Sequence, residues 1–208
     1  MSVRFLKYVV LHDADAHCWH HFSAPVAVLE TFDLHEVMET IQAVEERVLA
    51  EQLYAVGFIS YEAAPAFDAA CTVHYSAGFP LVRFGLFRAP EVMDELPSVF
   101  DCGESGSSDG GWQFDTSAHR YGKKIETIKS HIRAGDCYQV NYTIRQHRCL
   151  TEDPRILFAS MAVDAAYAAY IECDDFTICS ASPELFFELD HNRLTARPMK
   201  GTAPRGDT

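Results

Sequence analysis

The closing segment of the chain, RPMKGTAPRGDT at 197–208, carries side chains suited to nucleophilic chemistry. Lys200 lies between Pro198 and Gly201, in a stretch with neither helical nor strand periodicity. A lysine amine is a nucleophile only without its proton, so a site must lower its pKa from about 10.4 by burial or nearby positive charge. Arg197 can supply that charge, or can hold a substrate carboxylate through two hydrogen bonds. Because Pro198 restricts the backbone and Gly201 permits close ligand approach, the pattern predicts a preorganised reacting amine.

Glu184, in the tripeptide Ser-Pro-Glu, is the second candidate for chemistry. Taken alone, a lysine or a glutamate is usually a solvated surface charge. The segments LFFEL and RLTAR, however, are typical of two strands of a hairpin that reverses at 190–193. Glu184 precedes the first strand and Lys200 follows the second, so we expect both side chains at the same end of a sheet. A carboxyl placed there can act as general acid or base.

The first half of the chain predicts one helix and two strands that could support such a site. Apolar residues at three- and four-residue steps predict an amphipathic helix over 33–53. The segment 53–64 reads as a buried strand, and 81–89 alternates as a half-buried strand does.

The second half begins with a segment rich in glycine and serine, 101–111, which predicts a flexible loop. A helix is expected from Thr116 or Ser117 to Gly135, then a strand over 137–150 and a helix opened by Asp153 and Pro154. Two hairpins follow, the first of AYIEC and FTICSAS and the second of LFFEL and RLTAR. Paired strands with occasional helices indicate an antiparallel α+β architecture, and the length of 1–208 fits one domain or one large part of a domain.

Composition excludes several classes of function. The chain has 208 residues, 48% of them hydrophobic, and a formal charge of −13, which disfavours nucleic acid and anionic membranes as partners. Its seven cysteines are scattered without a C-x-x-C pair, which suggests reduced thiols in a cytoplasmic protein. No apolar run approaches the roughly 20 residues that would span a bilayer.

Two local clusters offer alternative chemistry that the sequence does not support. HCWHH at 17–21 lacks a second ligand pair at zinc spacing, and neighbouring strand residues point to opposite faces, so these are expected to be ordinary surface or edge residues. No metal ligands are predicted in this portion. The glycine-rich GESGSSDGG has no G-K-[ST] ending, which favours a linker over a phosphate-binding loop.

Three segments resemble, in order, the motif set of the chorismate-utilising enzymes. These are IRAGDCYQVNYTIRQ at 132–146, SASPELFFEL at 180–189 and TARPMKGTAPRG at 195–206. Within that family they look like the aminodeoxychorismate synthase component I group, the para-aminobenzoate branch of folate synthesis. The resemblance covers 116–208 well and 57–68 more loosely. It implies an antiparallel β-sandwich with helices outside, incomplete in this chain.

The resemblance also implies roles for individual residues. In the para-aminobenzoate enzymes the lysine matching Lys200 attacks ring C2 of chorismate while the C4 hydroxyl departs, and ammonia then enters at C4 to give 4-amino-4-deoxychorismate. Anthranilate synthases have alanine at that position. Glu184 would be the general acid or base, whereas Arg197, Gly201 and Thr202 would bind substrate.

Partners and cofactors follow from the same resemblance. A glutaminase subunit or domain would supply ammonia, and Mg²⁺ ligands would come from a missing C-terminal part, because family members are about twice as long. We therefore expect the 208-residue chain to be an N-terminal portion, inactive alone and prone to self-association through exposed apolar surface. Relatives often carry an Asn-Pro-x-Pro-like turn where this chain has 164–173, which argues against an intact regulatory amino-acid site.

Two other readings stay open. The chain could belong to an anthranilate or isochorismate-type synthase, although Lys200 disfavours the first. It could also be a noncatalytic module that docks a glutaminase.

Overall fold

The computed structural model describes residues 6–74, 78–100 and 111–198. The chain divides into two compact units, one formed by Met1–Gly103 with Pro154–Thr208 and the other by Glu104–Asp153. The strands of the described residues are β1 Leu6–Asp13, β2 Cys18–Ser23, β3 Ala27–Thr31, β4 Tyr54–Ile59, β5 Val82–Phe87, β6 Glu91–Met93, β7 Gln113–Phe114, β8 Gln146–His147, β9 Tyr167–Cys173, β10 Thr177–Ser182, β11 Glu188–Asp190 and β12 Arg193–Thr195. The α-helices are α1 Val37–Glu51, α2 Ala118–Ala134 and α3 Pro154–Ala162, and short 3₁₀ helices occupy Leu34–Glu36, Tyr61–Ala66 and Ser98–Phe100.

The first unit contains two larger sheets and a separate hairpin, all of them antiparallel. Five strands pair in the order β10-β9-β1-β2-β6, and three pair in the order β3-β5-β4. The β11–β12 hairpin forms its own two-stranded sheet. The predicted antiparallel α+β class is confirmed, with β1 at the centre of the largest sheet.

A hydrophobic core joins the two larger sheets face to face. Leu6, Val9 and Phe22 from the five-stranded sheet cluster with Val56 and Phe87 from the three-stranded sheet, and all five are buried. Side chains alternate along a strand, so one face of each sheet supplies this cluster and the opposite face needs another cover. The two sheets therefore form a sandwich.

Helices cover the outer faces. On the five-stranded sheet Val10 and Trp19 pack with Phe158 of α3. On the three-stranded sheet Leu86 packs with Val44 of α1. The order of layers is helix, sheet, sheet, helix, as the family resemblance implies.

Arg83 of β5 is a fully buried cation at the junction of the sheets, with a side chain that is 0% exposed. Its Nε donates to Oε2 of Glu30 on β3 at 2.8 Å, and its Nη1 donates to Oδ1 of Asp175 at 2.9 Å. Its guanidinium also lies 4.9 Å from the ring centroid of Phe176. Burial alone would lower the pKa of Arg83, but hydrogen bonds to Asp175, Cys173 and Glu30 outweigh it and raise that pKa. The buried guanidinium of Arg83 thus links Glu30 on β3 to Asp175 in the β9–β10 turn.

The second unit contains α2, whose ends follow ordinary capping rules. The Ser117 hydroxyl accepts a hydrogen bond from the Arg120 backbone N–H, and Gly135 takes the left-handed conformation with φ 83°. The predicted helix is confirmed with its predicted cap and stop.

The predicted strand over 137–150 is wrong. Only Gln146–His147 is a strand, pairing with Gln113–Phe114, and Tyr138 is 91% exposed. Its aromatic and β-branched residues favour a strand only where a sheet offers a surface to pack on, and within the described residues of this unit only β7 pairs with the segment.

The remaining secondary-structure predictions agree with the structure except at element ends, but the prediction that HCWHH at 17–21 lies at the surface or an edge is wrong for Cys18 and Trp19, which are buried on β2 between β1 and β6. The helix over 33–53 forms from Val37 after a 3₁₀ turn, and the strand predicted over 53–64 stops at Ile59 because residues 61–66 turn into a 3₁₀ helix. Both predicted hairpins form. Of the predicted loop at 101–111, residues 101–110 lie outside the described residues.

Gly57 on β4 allows a close approach to β5 that no other residue type fits. A Cβ added there would lie 2.0 Å from the Arg83 carbonyl oxygen, which is backbone and cannot move aside. We expect Gly57→Ala to lower the free energy of unfolding by about 1–3 kcal/mol or more, measured by chemical denaturation. Gly122→Ala is the control, because a Cβ there meets nothing within 4 Å; inside helix α2 it should stabilise by about 0.5–1 kcal/mol. Equal effects of the two substitutions would contradict this account.

Removing one carboxylate from the buried Arg83 should also be costly. Glu30→Gln keeps the shape of the side chain but leaves the guanidinium with less compensating charge, so we expect a loss of about 1–3 kcal/mol in the free energy of unfolding. Glu51→Gln breaks an exposed pair with Arg47 on α1 and should change stability by less than about 0.5 kcal/mol. Denaturant titrations of the two variants compare the pairs, and an unchanged midpoint for Glu30→Gln would refute the role of the buried charge.

Candidate functional site

Arg197, a predicted substrate-binding residue, is held by a carboxylate from the other end of the chain. Its Nη1 donates to Oδ1 of Asp15 at 2.9 Å and its Nη2 donates to Oδ2 at 2.8 Å, a two-point pair between residues 182 apart in sequence. Nη1 also lies 3.4 Å from the hydroxyl of Tyr167, the first residue of β9. The pair is solvent-exposed, and the hydrogen bonds from Arg197 hold the pKa of Asp15 below its ordinary value.

Asp15 is in position because DADAH at 13–17 folds as a tight turn between β1 and β2. The Asp13 carboxylate accepts hydrogen bonds from the backbone N–H groups of Asp15 and Ala16, at 3.0 and 2.9 Å. His17 then closes the turn in the left-handed conformation, with φ 53°. The hydrogen bond from Ala16 is the main cause that lowers the pKa of Asp13.

A cleft of about 610 Å³ opens beside this turn. It is lined by Leu11, His12, Asp13, Ala14, Asp15, Ala16, His20, Tyr167, Leu185, Phe187 and Glu188. The end of β1, the start of β9 and the segment leading into β11 therefore meet around one space. A concavity of about 700 Å³ along residues 30–36 is built from one continuous segment and contains none of the predicted site residues.

Glu184, the predicted acid or base, lies in the turn between β10 and β11, one residue before Leu185 of the cleft lining. The Ser182 hydroxyl accepts from the Glu184 backbone N–H at 3.2 Å and donates to the Glu184 carbonyl at 2.9 Å. Glu184 is exposed. Its backbone is thus fixed by Ser182 while its carboxyl remains accessible to solvent.

The predicted nucleophile, Lys200, lies outside the described residues, as do Gly201 and Thr202. Their roles stay predictions, and so does the proximity of the Lys200 amine to the Glu184 carboxyl. The described chain brings Arg197 to the Asp15 turn and sets Glu184 next to the same cleft. For Arg197 to hold a substrate carboxylate, it would have to exchange Asp15 for the substrate.

Sequence reasoning missed Asp15 and Tyr167. The turn itself carries a signal, since aspartates flanking alanine directly after a strand favour a side-chain-stabilised turn. Pairing between Asp15 and Arg197 has no local signal, because Arg197 follows β12 of a separate sheet and meets the β1–β2 turn only in the folded chain.

The Mg²⁺ ligands implied by the family resemblance are expected outside this portion of the chain, and the described residues offer one cluster of another composition. Asp13, Cys18 and His20 form the one cluster of three or more potential metal ligands there, with ligand atoms all within 4.8 Å of one another. Mg²⁺ prefers oxygen ligands in octahedral geometry, which a thiol and an imidazole do not supply. This cluster therefore does not suit Mg²⁺.

Comparison with known proteins defines the family. The sequence profile described as chorismate binding enzyme matches residues 6–208, so the chain belongs to that family. It is 34% identical to aminodeoxychorismate synthase component 1 of Escherichia coli over 96 residues, 45% of this chain and 21% of that protein. The same enzyme of Bacillus subtilis is 32% identical over 118 residues, 56% of this chain and 25% of the relative.

Relatives with another name also match. Anthranilate synthase component 1 of Thermus thermophilus is 33% identical over 113 residues, 53% of this chain and 24% of that protein. The aligned part of this chain spans a quarter or less of the length of each of these relatives. Among the described residues, no helix combines the length and apolar character needed to cross a membrane.

The Asp15–Arg197 pair can be tested by titration. The pKa of Asp15 is lowered from 3.8, so the contribution of this carboxylate to stability is present above that pH and is lost as the pH falls through the lower folded value. We expect the carboxyl-carbon NMR signal of Asp15 to titrate below 3.8, and Arg197→Gln to move the midpoint upward. Arg193→Gln, on the β11–β12 hairpin, is the control and should leave the titration midpoint of Asp15 unchanged. An Asp15 midpoint unaffected by Arg197→Gln would show that the pair is not formed in solution.

Proposed function

We propose that this protein acts as an aminodeoxychorismate synthase component, converting chorismate and ammonia to 4-amino-4-deoxychorismate for para-aminobenzoate and folate synthesis. Membership of the chorismate binding family supports the substrate class. Two of the relatives at 32–34% identity carry the name of this synthase. The observation that carries the proposal is Lys200 in P-M-K-G-T, because a lysine there distinguishes the para-aminobenzoate enzymes from the anthranilate synthases.

In the proposed mechanism Lys200 and Glu184 divide the substitution into two steps. The uncharged Lys200 amine forms a bond to ring C2, both conjugated ring double bonds shift toward C4, and the C4 hydroxyl departs as water with a proton from Glu184. Ammonia then bonds to C4 and gives up one proton, both double bonds return to their original positions, and the C2–nitrogen bond breaks, which releases the lysine as an amine. Atoms balance as chorismate and ammonia giving 4-amino-4-deoxychorismate and water.

The described geometry supports the placement of these groups. β12 runs antiparallel to β11, with Glu188 opposite Thr195. The chain leaving β12 through Arg197 therefore heads back toward the end where β11 begins, which is the end next to Glu184. Arg197 is bound to Asp15, which lines the cleft, so a dicarboxylate substrate that displaced Asp15 would meet a cation.

Ammonia would come from a glutaminase subunit or domain, and any Mg²⁺ ligands would come from outside the described residues. Exposed apolar side chains on and beside the β11–β12 hairpin, among them Phe186, Leu189 and Leu194, support an apolar contact surface on the isolated chain.

An anthranilate synthase is the second candidate, favoured by the match to the Thermus thermophilus enzyme. The two reactions differ in where nitrogen enters the ring and in whether a covalent lysine adduct forms. Analysis of the product distinguishes them directly, and an isochorismate product would identify the third kind of chorismate enzyme.

The decisive variant is Lys200→Ala in the full-length protein, supplied with chorismate, Mg²⁺ and ammonia. We expect formation of aminodeoxychorismate to fall by about a hundredfold or more, as for loss of a nucleophile, and Glu184→Gln to lower it by about 10²–10⁴. Lys124→Ala, at an exposed lysine of α2, is the matched control and should retain full turnover. Product is measured by liquid chromatography, and the lysine adduct by mass spectrometry.

Two results would overturn the proposal. Anthranilate as the main product of the unaltered protein would favour the second candidate. Turnover unaffected by Lys200→Ala would remove the covalent mechanism, and complete absence of turnover with retained glutaminase binding would favour a noncatalytic docking module.

A further inference from the structure

The β1–β2 hairpin gathers three side chains of different ligand types on one face. Asp13 is opposite Cys18 in the register, and His20 is two residues beyond Cys18, so all three share the face that also carries Val9 and Phe22. The Cys18 sulfur lies 3.6 Å from Nε2 of His20, and that nitrogen lies 3.6 Å from Oδ2 of Asp13. All three ligand atoms are within 4.8 Å of one another.

The Cys18–His20 distance allows a weak hydrogen bond to sulfur, and it also fits two ligands of one metal ion. A nitrogen–oxygen distance of 3.6 Å is too long for a hydrogen bond between His20 and Asp13. Zinc binds sulfur at about 2.3 Å and nitrogen or oxygen at about 2.0–2.2 Å in tetrahedral geometry, which places sulfur about 3.6 Å from nitrogen and nitrogen about 3.4 Å from oxygen. The two measured distances therefore approach those of a tetrahedral site.

The turn prepares Asp13 for this role. Its Oδ1 is occupied by the backbone N–H groups of Asp15 and Ala16, which fixes the carboxylate plane. Oδ2 is consequently the oxygen directed toward His20. Cys18 is a free cysteine and is only 9% exposed, so its sulfur is held within the fold.

We propose that Asp13, Cys18 and His20 bind a zinc ion, with the fourth coordination position open toward the cleft. Thiolate, imidazole and carboxylate together are typical zinc ligands, whereas Mg²⁺ and Ca²⁺ prefer oxygen alone. Asp13 and His20 both line the cleft, so water or an anionic group of a ligand can complete the coordination. The proposal does not rest on the proposed synthase activity, although Asp13 and His20 line the same cleft.

Metal binding here would stiffen the turn that positions Asp15. The ion would link the end of β1 to the start of β2, on either side of the turn. Asp15, within that turn, accepts hydrogen bonds from both Nη atoms of Arg197. Zinc would thus stabilise the link between the start of the chain and the segment that follows β12. Adjacent residues of HCWHH face opposite sides of the sheet, as expected from the sequence, but the alternate residues Cys18 and His20 share one face with Asp13.

The test is a cobalt titration of the full chain, with Co²⁺ as the spectroscopic substitute for zinc. We expect saturable binding with a thiolate-to-cobalt charge-transfer band, lost on adding zinc, and a zinc-dependent rise in the melting temperature. Cys18→Ser should abolish the band, and Asp13→Asn and His20→Gln should each weaken binding by at least about tenfold. Cys71→Ser, which alters an exposed cysteine elsewhere, should leave the titration unchanged.

Some outcomes would refute the site. Absence of saturable cobalt binding, a charge-transfer band that survives Cys18→Ser, or equal loss in Cys71→Ser would each do so. Asp13→Asn retains an oxygen for the turn hydrogen bonds, so circular dichroism of this variant checks that lost binding does not reflect unfolding. Should Cys18→Ser fail to fold, unchanged affinity in both Asp13→Asn and His20→Gln would refute the proposal.

Discussion

The burial of Arg83 is the constraint on which the arrangement of the sandwich depends. A guanidinium removed from water must find carboxylates within hydrogen-bonding distance, and it finds Glu30 on the neighbouring strand and Asp175 in the β9–β10 turn. One carboxylate belongs to the three-stranded sheet and the other to the five-stranded sheet. A hydrophobic core alone would tolerate sliding of one sheet over the other, whereas a buried charge with two fixed partners favours one alignment.

That alignment has consequences for the cleft. β9, which leads into the Asp175 turn, is hydrogen-bonded along β1, so the start of β9 lies beside the end of β1. Tyr167 and the Asp15 turn are consequently neighbours, and Arg197 bridges them. The candidate site is thus built from the ends of central strands, while the groups expected to react belong to the segments around the β11–β12 hairpin.

Local sequence rules predicted much of the fold because they concern interactions within a few residues. Helix α2 begins at Ser117 and stops at Gly135, since capping and the left-handed stop are local effects. The segment 137–150 failed the same reasoning. Strand formation needs a neighbouring strand, and among the described residues of the second unit only Gln113–Phe114 pairs with it.

The order of motifs along the sequence was enough to indicate the family, and residue type alone nominated the lysine in P-M-K-G-T and the carboxyl in Ser-Pro-Glu as reacting groups. These are matters of residue type and order, which a chain carries before it folds. Only folding of the whole chain pairs Asp15 with Arg197, 182 residues away, and places Asp13 on the same face as Cys18 and His20. Such pairs depend on strand neighbours and register, which are set by burial of the whole sheet and leave no trace in local spacing.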